Sequence, residues 1–381
     1  MLRFILTVLL FLFSLLCVFK AFSYHLWIAS ILVSEFPWIF MGIAGGLLVW
    51  GIAPQKFQLA GNVLSILALL LLLSPVVRAW PISNSLQKEL AANFGEKVST
   101  GSSPRPFQFF KMISGIGAKQ IPFQSLTYSS KANGLTLDFY PSTFKMRRPV
   151  VIVIHGGSWA SGDSQQLPEL NSELAKQGYN VASINYRLAP QYESPAPTED
   201  VQEAMDYLRG HSDALNIDTT QFVLLGRSAG AQIALISAYQ LNDPSIKGVV
   251  SFYGPADMVW GYSLPSNPLV MDSRKVMEDF LGGTYEEVPQ NYEASSPVHA
   301  AGKNSPPTLM IHGQNDVLVA YEHSIRLSKK LTAAGVNHYL LTLPWATHGC
   351  DYTLNGPGGQ LSTYSVLYFL QQVTYGMVYS H

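Results

Sequence analysis

The chain has 381 residues, 24 basic and 25 acidic side chains, and a formal net charge of −1. That near-neutral balance, with no basic run, excludes an electrostatic nucleic-acid binder. Cys17 and Cys350 lie far apart, which argues against a disulfide framework and offers no zinc-ligand spacing.

Charge is scarcest at the start. Among the first 80 residues only Arg3, Lys20, Glu35, Lys56 and Arg78 are charged, so 1–80 reads as a membrane region of two or three helices. About 20 apolar residues span a hydrocarbon core, and the runs 36–55 and 57–77 are long enough. Trp80 suits an interfacial anchor. The opening run, 4–22, is shorter and has two readings. The very short polar start and the runs that follow favour a retained helix. Ala21-Phe22-Ser23 is a small-x-small site, so a cleaved signal peptide competes. Both readings leave an integral, multi-pass membrane protein in contact with lipid. Basic residues flank the runs evenly, so charge orients neither side.

Residues 81–120 read as a linker segment. A short amphipathic helix is expected over 83–98, a flexible stretch at "STGSSPRP" (99–106), and an apolar stretch from 107 that packs on the soluble domain. From 121 to 381 the pattern becomes alternating strands and helices. "QSLTYSS" and "LTLDFY" predict a hairpin around Asn133-Gly134. "PVVIVIHGG" is a continuous β-branched run, as expected of a strand buried on both faces. Further strands are predicted at "NVASINY", "QFVLLG", "IKGVVSFYG", "PTLMIHG" and "HYLLTLP". Helices are predicted over 167–177, 197–209, 228–241, 321–334 and 360–373. This order predicts an α/β domain with a mostly parallel sheet covered on both faces. The stretch 255–305, rich in proline, tyrosine and tryptophan, breaks the rhythm and reads as a lid-like insert.

"LLGRSAGAQI" places Ser228 between a buried strand and a helix, with Gly226 and Gly230 two residues to either side. That is the pattern of a nucleophile elbow, in which a strained turn presents the hydroxyl at the carboxyl edge of the sheet. An ordinary N-cap serine is the alternative. A hydroxyl needs a base to take its proton. With the chain order serine, acid, histidine, the candidates are Asp316, just past one strand, and His348, just past the last. His312, His323, His338 and His381 sit in worse positions, as do Asp200, Asp257 and Asp351. Acyl transfer also needs N–H donors for the developing oxyanion. "HGGSW" after a buried strand supplies Gly156 and Gly157, and Ala229 follows the serine. Trp159, Trp260, Tyr262 and Trp345 are candidate walls of an acyl or aromatic pocket.

Together "HGGSW", "NYRLAP", "GRSAGA", "FYGPADM", "FLGGTYEEVPQNYEASSPV" and "HGQNDVLV" resemble the esterase and lipase branch of the α/β-hydrolase superfamily, over about 126–370. They are closest to hormone-sensitive-lipase-like and acetyl- or feruloyl-esterase-like members, and similar to the prenylcysteine methylesterases. The resemblance implies Gly157, Ser158 and Ala229 as oxyanion donors, although Ser158 stands where a third glycine is usual. Ala231 likewise stands where a glycine is common. The resemblance, outside which the first 80 residues fall, implies a serine carboxylic-ester hydrolase that works through an acyl-enzyme with no metal or organic cofactor. With the apolar runs of 1–80 the reading is a membrane-anchored enzyme acting on a small or lipidic ester. A peptidase or an acyltransferase with the same triad, and an inactive membrane scaffold, are the alternatives.

Overall fold

Eight strands form one mixed sheet in the computed structural model, which describes residues 1–96, 105–115 and 119–375. The strands are β1 (Gln124–Ser129), β2 (Leu135–Tyr140), β3 (Arg148–Ile154), β4 (Asn180–Ile184), β5 (Ile217–Arg227), β6 (Ile246–Phe252), β7 (Thr308–Gly313) and β8 (His338–Leu343). Their spatial order is β1-β2-β4-β3-β5-β6-β7-β8. The pairs β1/β2 and β2/β4 are antiparallel and all others are parallel. The expected hairpin and every expected strand are present.

Helices cover both faces, because the central strands are apolar on both. Val151, Val153, Val223 and Leu225 belong to one core, and Val150, Ile152, Phe222 and Leu224 to the other. The N-terminal helices are α1 (Leu2–Ser14), α2 (Tyr24–Glu35), α3 (Pro37–Trp50) and α4 (Gln58–Phe94), followed by the short α5 (Phe109–Ile113). The sheet's helices begin with α6 (Glu169–Lys176), α7 (Ala196–Gly210), α8 (Ser212–Leu215) and α9 (Ala229–Gln240). The insert holds α10 (Met258–Ser263), α11 (Ser273–Leu281), α12 (Pro289–Ala294) and α13 (Pro297–Ala300). The chain closes with α14 (Glu322–Ala334) and α15 (Pro357–Leu370).

The first third differs from its sequence reading. Of the three expected spans, α4 alone is a single helix long and apolar enough to cross a membrane among the described residues. α2 and α3 reach that length only as a pair bent by 85°. The bend falls at Glu35-Phe36-Pro37, where proline cannot continue the donor ladder. α1 with its closing turn is shorter still. The helix expected over 83–98 is not a separate linker element. Its described part, to Phe94, is the end of α4, which runs through Pro75 and Pro81 without a break. Val76, Ala79, Leu86 and Leu90, around and beyond these prolines, belong to the core on one face of the sheet. Residues 97–104, with most of the expected flexible stretch, lie outside the described residues. Beyond them Phe107 and Met112 are buried in the core that also holds Val151, Val223 and Leu361.

Arg3 and Glu35 are both buried inside the helical region. Arg3 donates from Nε to the Leu47 carbonyl at 2.8 Å and also to Asn62. A buried charge persists only with such partners.

Candidate active site

The site lies where the carboxyl ends of β3 and β5 adjoin. From β3 the chain passes to β4 on one side, and from β4 back to β5 on the other. Ligands of open α/β sheets bind at such a reversal.

Ser228 connects β5 to α9 with φ +54° and ψ −121°, a conformation that costs free energy for any residue with a Cβ. The neighbouring glycines make room for it. A Cβ on Gly226 would sit 2.1 Å from the Gly230 carbonyl oxygen. One on Gly230 would sit 2.2 Å from the Ile154 carbonyl oxygen. Strand and helix therefore approach closely enough to hold the turn tight. The Ser228 N–H donates to the Phe252 carbonyl at 2.9 Å.

The three side chains expected to converge do so. Ser228 Oγ lies 2.9 Å from His348 Nε2, and His348 Nδ1 lies 2.7 Å from Asp316 Oδ2. The carboxylate fixes the tautomer: Nδ1–H donates to Asp316, which leaves Nε2 as an acceptor for the serine proton. Asp316 is itself anchored. Its Oδ1 accepts from the Leu318 and Val319 N–H groups, both at 2.9 Å. Burial pushes the Asp316 carboxyl up, but the charge of His348 and hydrogen bonds from His312 and His348 outweigh that and hold it well below the usual range. It is therefore ionised near neutral pH.

His312, which sequence position sets aside as the base, is a packed and hydrogen-bonded histidine at the end of β7. It also lies against the acid. Its Nε2 is 3.0 Å from the Val319 carbonyl and 3.3 Å from Asp316 Oδ2, while Nδ1 is 2.7 Å from Ser324 Oγ. The motif "HGQNDVLV" contained both residues, but spacing alone does not show which way a strand-end histidine turns.

The other described candidates are engaged elsewhere, and His381 lies outside the described residues. Asp200 pairs with Arg187 at 2.8 Å. Asp257 caps α10 and pairs with Arg326 at 2.7 Å. Asp351 receives Arg227 Nε at 2.5 Å and the Tyr253 hydroxyl at 2.6 Å. His323 is buried, and burial first, with the charge of His312, lowers it to about 3, so it is neutral. Its Nδ1 accepts the Asp257 N–H at 3.2 Å.

Of the four expected oxyanion donors, Gly156 is committed, since its N–H donates to Gln166 Oε1 at 2.7 Å. The N–H groups of Gly157, Ser158 and Ala229 meet no acceptor among the described residues. Gly157 has φ +120° and Ser158 φ +54°. Ser158 therefore adopts the left-handed conformation that a glycine would take more readily.

Two cavities meet at Ser228. The smaller, about 130 Å³, is walled by Trp159, Ala229, Met271, Met277 and His323. The larger, about 480 Å³, runs past Gly157, Ser158, His348 and Tyr352 to the first face of α2. Both use residues of the insert, Met271 among them. Only one of the four aromatic candidates lines either cavity. Trp159 stacks on Phe280 with ring centroids 4.5 Å apart and donates to Gln232 Oε1 at 3.0 Å. Trp260 and Tyr262 instead face a separate surface hollow with Arg274 and Arg326. There Arg326 lies over the Trp260 ring, and the Tyr262 hydroxyl donates to Glu278. Trp345 is buried in the core with Phe252 and Leu343 and lines neither cavity.

The chain is similar to proteins named as esterases. Esterase LipC of Mycobacterium tuberculosis is 30% identical over 242 residues, which are 59% of this chain and 58% of that protein. The Arabidopsis thaliana isoprenylcysteine alpha-carbonyl methylesterase ICME is 25% identical over 260 residues, 61% of this chain and 58% of its own. The chain thus spans little more than half the length of either relative. Among solved structures, a bacterial heroin esterase superposes with a TM-score of 0.59 at 22% identity, over 69% of this chain and 87% of its own, and shares the fold. The BD-FAE family model matches residues 137–331, just over half of the sequence, and the chain therefore belongs to the BD-FAE family within the esterase and lipase branch of the α/β-hydrolases.

Proposed function

We propose that this protein is a membrane-anchored serine carboxylic-ester hydrolase. The observation that carries the reading is the unbroken chain of contacts from Ser228 Oγ through His348 to Asp316. In this mechanism Ser228 Oγ attacks the ester carbonyl carbon as His348 Nε2 takes its proton. The oxyanion accepts N–H groups from Gly157, Ser158 and Ala229, each such donor being worth roughly 10²–10³-fold in rate. The tetrahedral adduct collapses, the C–O bond to the alcohol breaks, and His348 returns the proton to the leaving oxygen. Water then attacks the acyl-enzyme with His348 again as base, releasing the acid and free Ser228. Asp316 stays ionised throughout and stabilises the imidazolium. No step calls for a metal or organic cofactor. Relatives named as esterases support an ester substrate.

The anchor in this reading is the first half of α4. Leu59, Val63, Ile66 and Leu70 are exposed apolar residues there, which a bilayer would cover. At 37 residues the helix is about 55 Å long, more than a hydrocarbon core needs. Its second half is the part that docks on the catalytic domain, so anchor and enzyme are joined by one continuous helix.

The test is hydrolysis of p-nitrophenyl acetate by the full chain in detergent or nanodiscs. Wild type is expected to turn over the ester. Ser228→Ala is expected to lose about 10⁶-fold in kcat, the scale on which loss of a serine nucleophile is felt. Undiminished turnover in that variant would remove Ser228 from the reaction.

A further inference from the structure

α2 lies outside the region matched to the family, yet it closes one side of the active site. Three contacts hold it there. The Trp27 indole N–H donates to the His348 carbonyl at 3.0 Å. The Tyr24 N–H donates to the Leu269 carbonyl in the insert at 2.9 Å. Glu35 accepts the Gly358 and Gly359 N–H groups at 3.1 and 3.3 Å, at the start of α15. Between these points Ile31 reaches Gly349, where a Cβ would come within 3.1 Å of Ile31 Cδ1. The Trp27 and His348 ring centroids are 6.3 Å apart.

The space enclosed is the cavity of about 480 Å³. Tyr24, Trp27, Ile28 and Ile31 form its α2 side, facing Ser228 and His348. Val270 and Leu318 extend the apolar lining. The outer rim continues into apolar surface, since Phe22, Tyr24, Ile28 and Leu32 are all exposed. This slot, a cavity with the Ser228 hydroxyl in its lining and an apolar α2 side that continues into exposed apolar surface, suits an ester carrying an extended aliphatic chain.

We propose that α2 is the specificity wall of the enzyme, and that its slot receives the long aliphatic limb of the ester while the smaller cavity receives the short limb. The proposal rests on the esterase reading above. It assigns the N-terminal region a part in substrate selection beyond tethering. Each methylene held in the slot is out of water, and each one kept out costs roughly a factor of four in binding.

Ile28→Trp fills the slot at a position exposed enough to take the larger ring. The experiment uses the full chain in phosphatidylcholine nanodiscs and reads two ratios of kcat/KM. One ratio, p-nitrophenyl myristate over p-nitrophenyl acetate, reports the acyl limb. The other, tetradecyl acetate over methyl acetate, reports the alcohol limb. One of the two is expected to fall at least about ten-fold in Ile28→Trp, equivalent to two or more methylenes, and which one falls identifies the limb. Leu32→Trp, on the same helix but outside the slot, is expected to leave both ratios within two-fold. A merely structural role for α2 would lower short and long substrates together and leave both ratios unmoved, which would overturn the proposal. Should Ser228→Ala retain acetate hydrolysis, the esterase reading falls and this inference with it. Should Ser228→Ala abolish hydrolysis while Ile28→Trp leaves both ratios in place, this inference alone falls.

Discussion

Asp316→Asn is expected to lower kcat for p-nitrophenyl acetate by about 10⁴-fold while the protein remains folded, the size of effect that follows loss of the carboxylate in the serine-protease template. The reason is a tautomer. The Leu318 and Val319 N–H groups both point at Oδ1 of Asp316. An asparagine must put its carbonyl oxygen there, because its amide nitrogen cannot accept. The NH₂ group then faces His348 Nδ1, which has to become an acceptor. The ring proton moves to Nε2, and Nε2 can no longer take the proton of Ser228. The measurement is steady-state hydrolysis alongside thermal unfolding. A variant with nearly normal kcat would show that Asp316 does not orient the base.

Gly230→Ala is the second large effect, and it acts on the backbone. The added methyl carbon would lie 2.2 Å from the Ile154 carbonyl oxygen and 2.3 Å from that of His155. Neither atom is the free end of a flexible side chain, so α9 must move away from β3. We expect destabilisation of about 3 kcal/mol or more, at the upper end for overpacking. For a catalytic domain of this size that lowers Tm by roughly 6–12 °C. Activity is expected to fall further than stability at temperatures where the variant is still folded. The moving helix carries the Ala229 N–H and the Ser228 turn with it. A variant with unchanged Tm and kcat would contradict the close approach of β3 and α9 on which the elbow depends.

The elbow also explains why so much of the site was legible in residue order. Ser228 is held by constraints within a few residues of it, namely an apolar strand before, a helix after, and glycines wherever a Cβ has no room. Asp316 and His348 each follow a strand whose period-2 or fully apolar pattern is plain, and parallel strands bring those ends to one edge. The eight strands and the helices α6, α7, α9, α14 and α15 were readable from their apolar periodicity, whereas α8 and the four short helices of the insert were not.

What sequence did not show depends on contacts between distant segments. Nothing in 24–35 indicates that Trp27 meets the His348 carbonyl, a partner 321 positions away. The aromatic candidates failed for a related reason. A tryptophan or tyrosine fits a pocket, a core or a cation-stacking site equally well, and Trp345, Trp260 and Tyr262 went to the latter two. Gly156 was separated from its neighbours only by Gln166, ten residues on. That the run 57–77 and the helix expected over 83–98 join into one α4 depends on packing against α15 and the sheet, which sequence order does not show.

The central claim is that Ser228 is activated by His348, and covalent labelling tests it most directly. A fluorophosphonate reacts with a serine only where a neighbouring base and oxyanion donors activate it. The full chain at neutral pH is expected to take up one equivalent, with the adduct mapped by mass spectrometry to the peptide containing Ser228 and lost in His348→Ala. Labelling at another residue, or equal labelling of Ser228 without the histidine, would contradict the account.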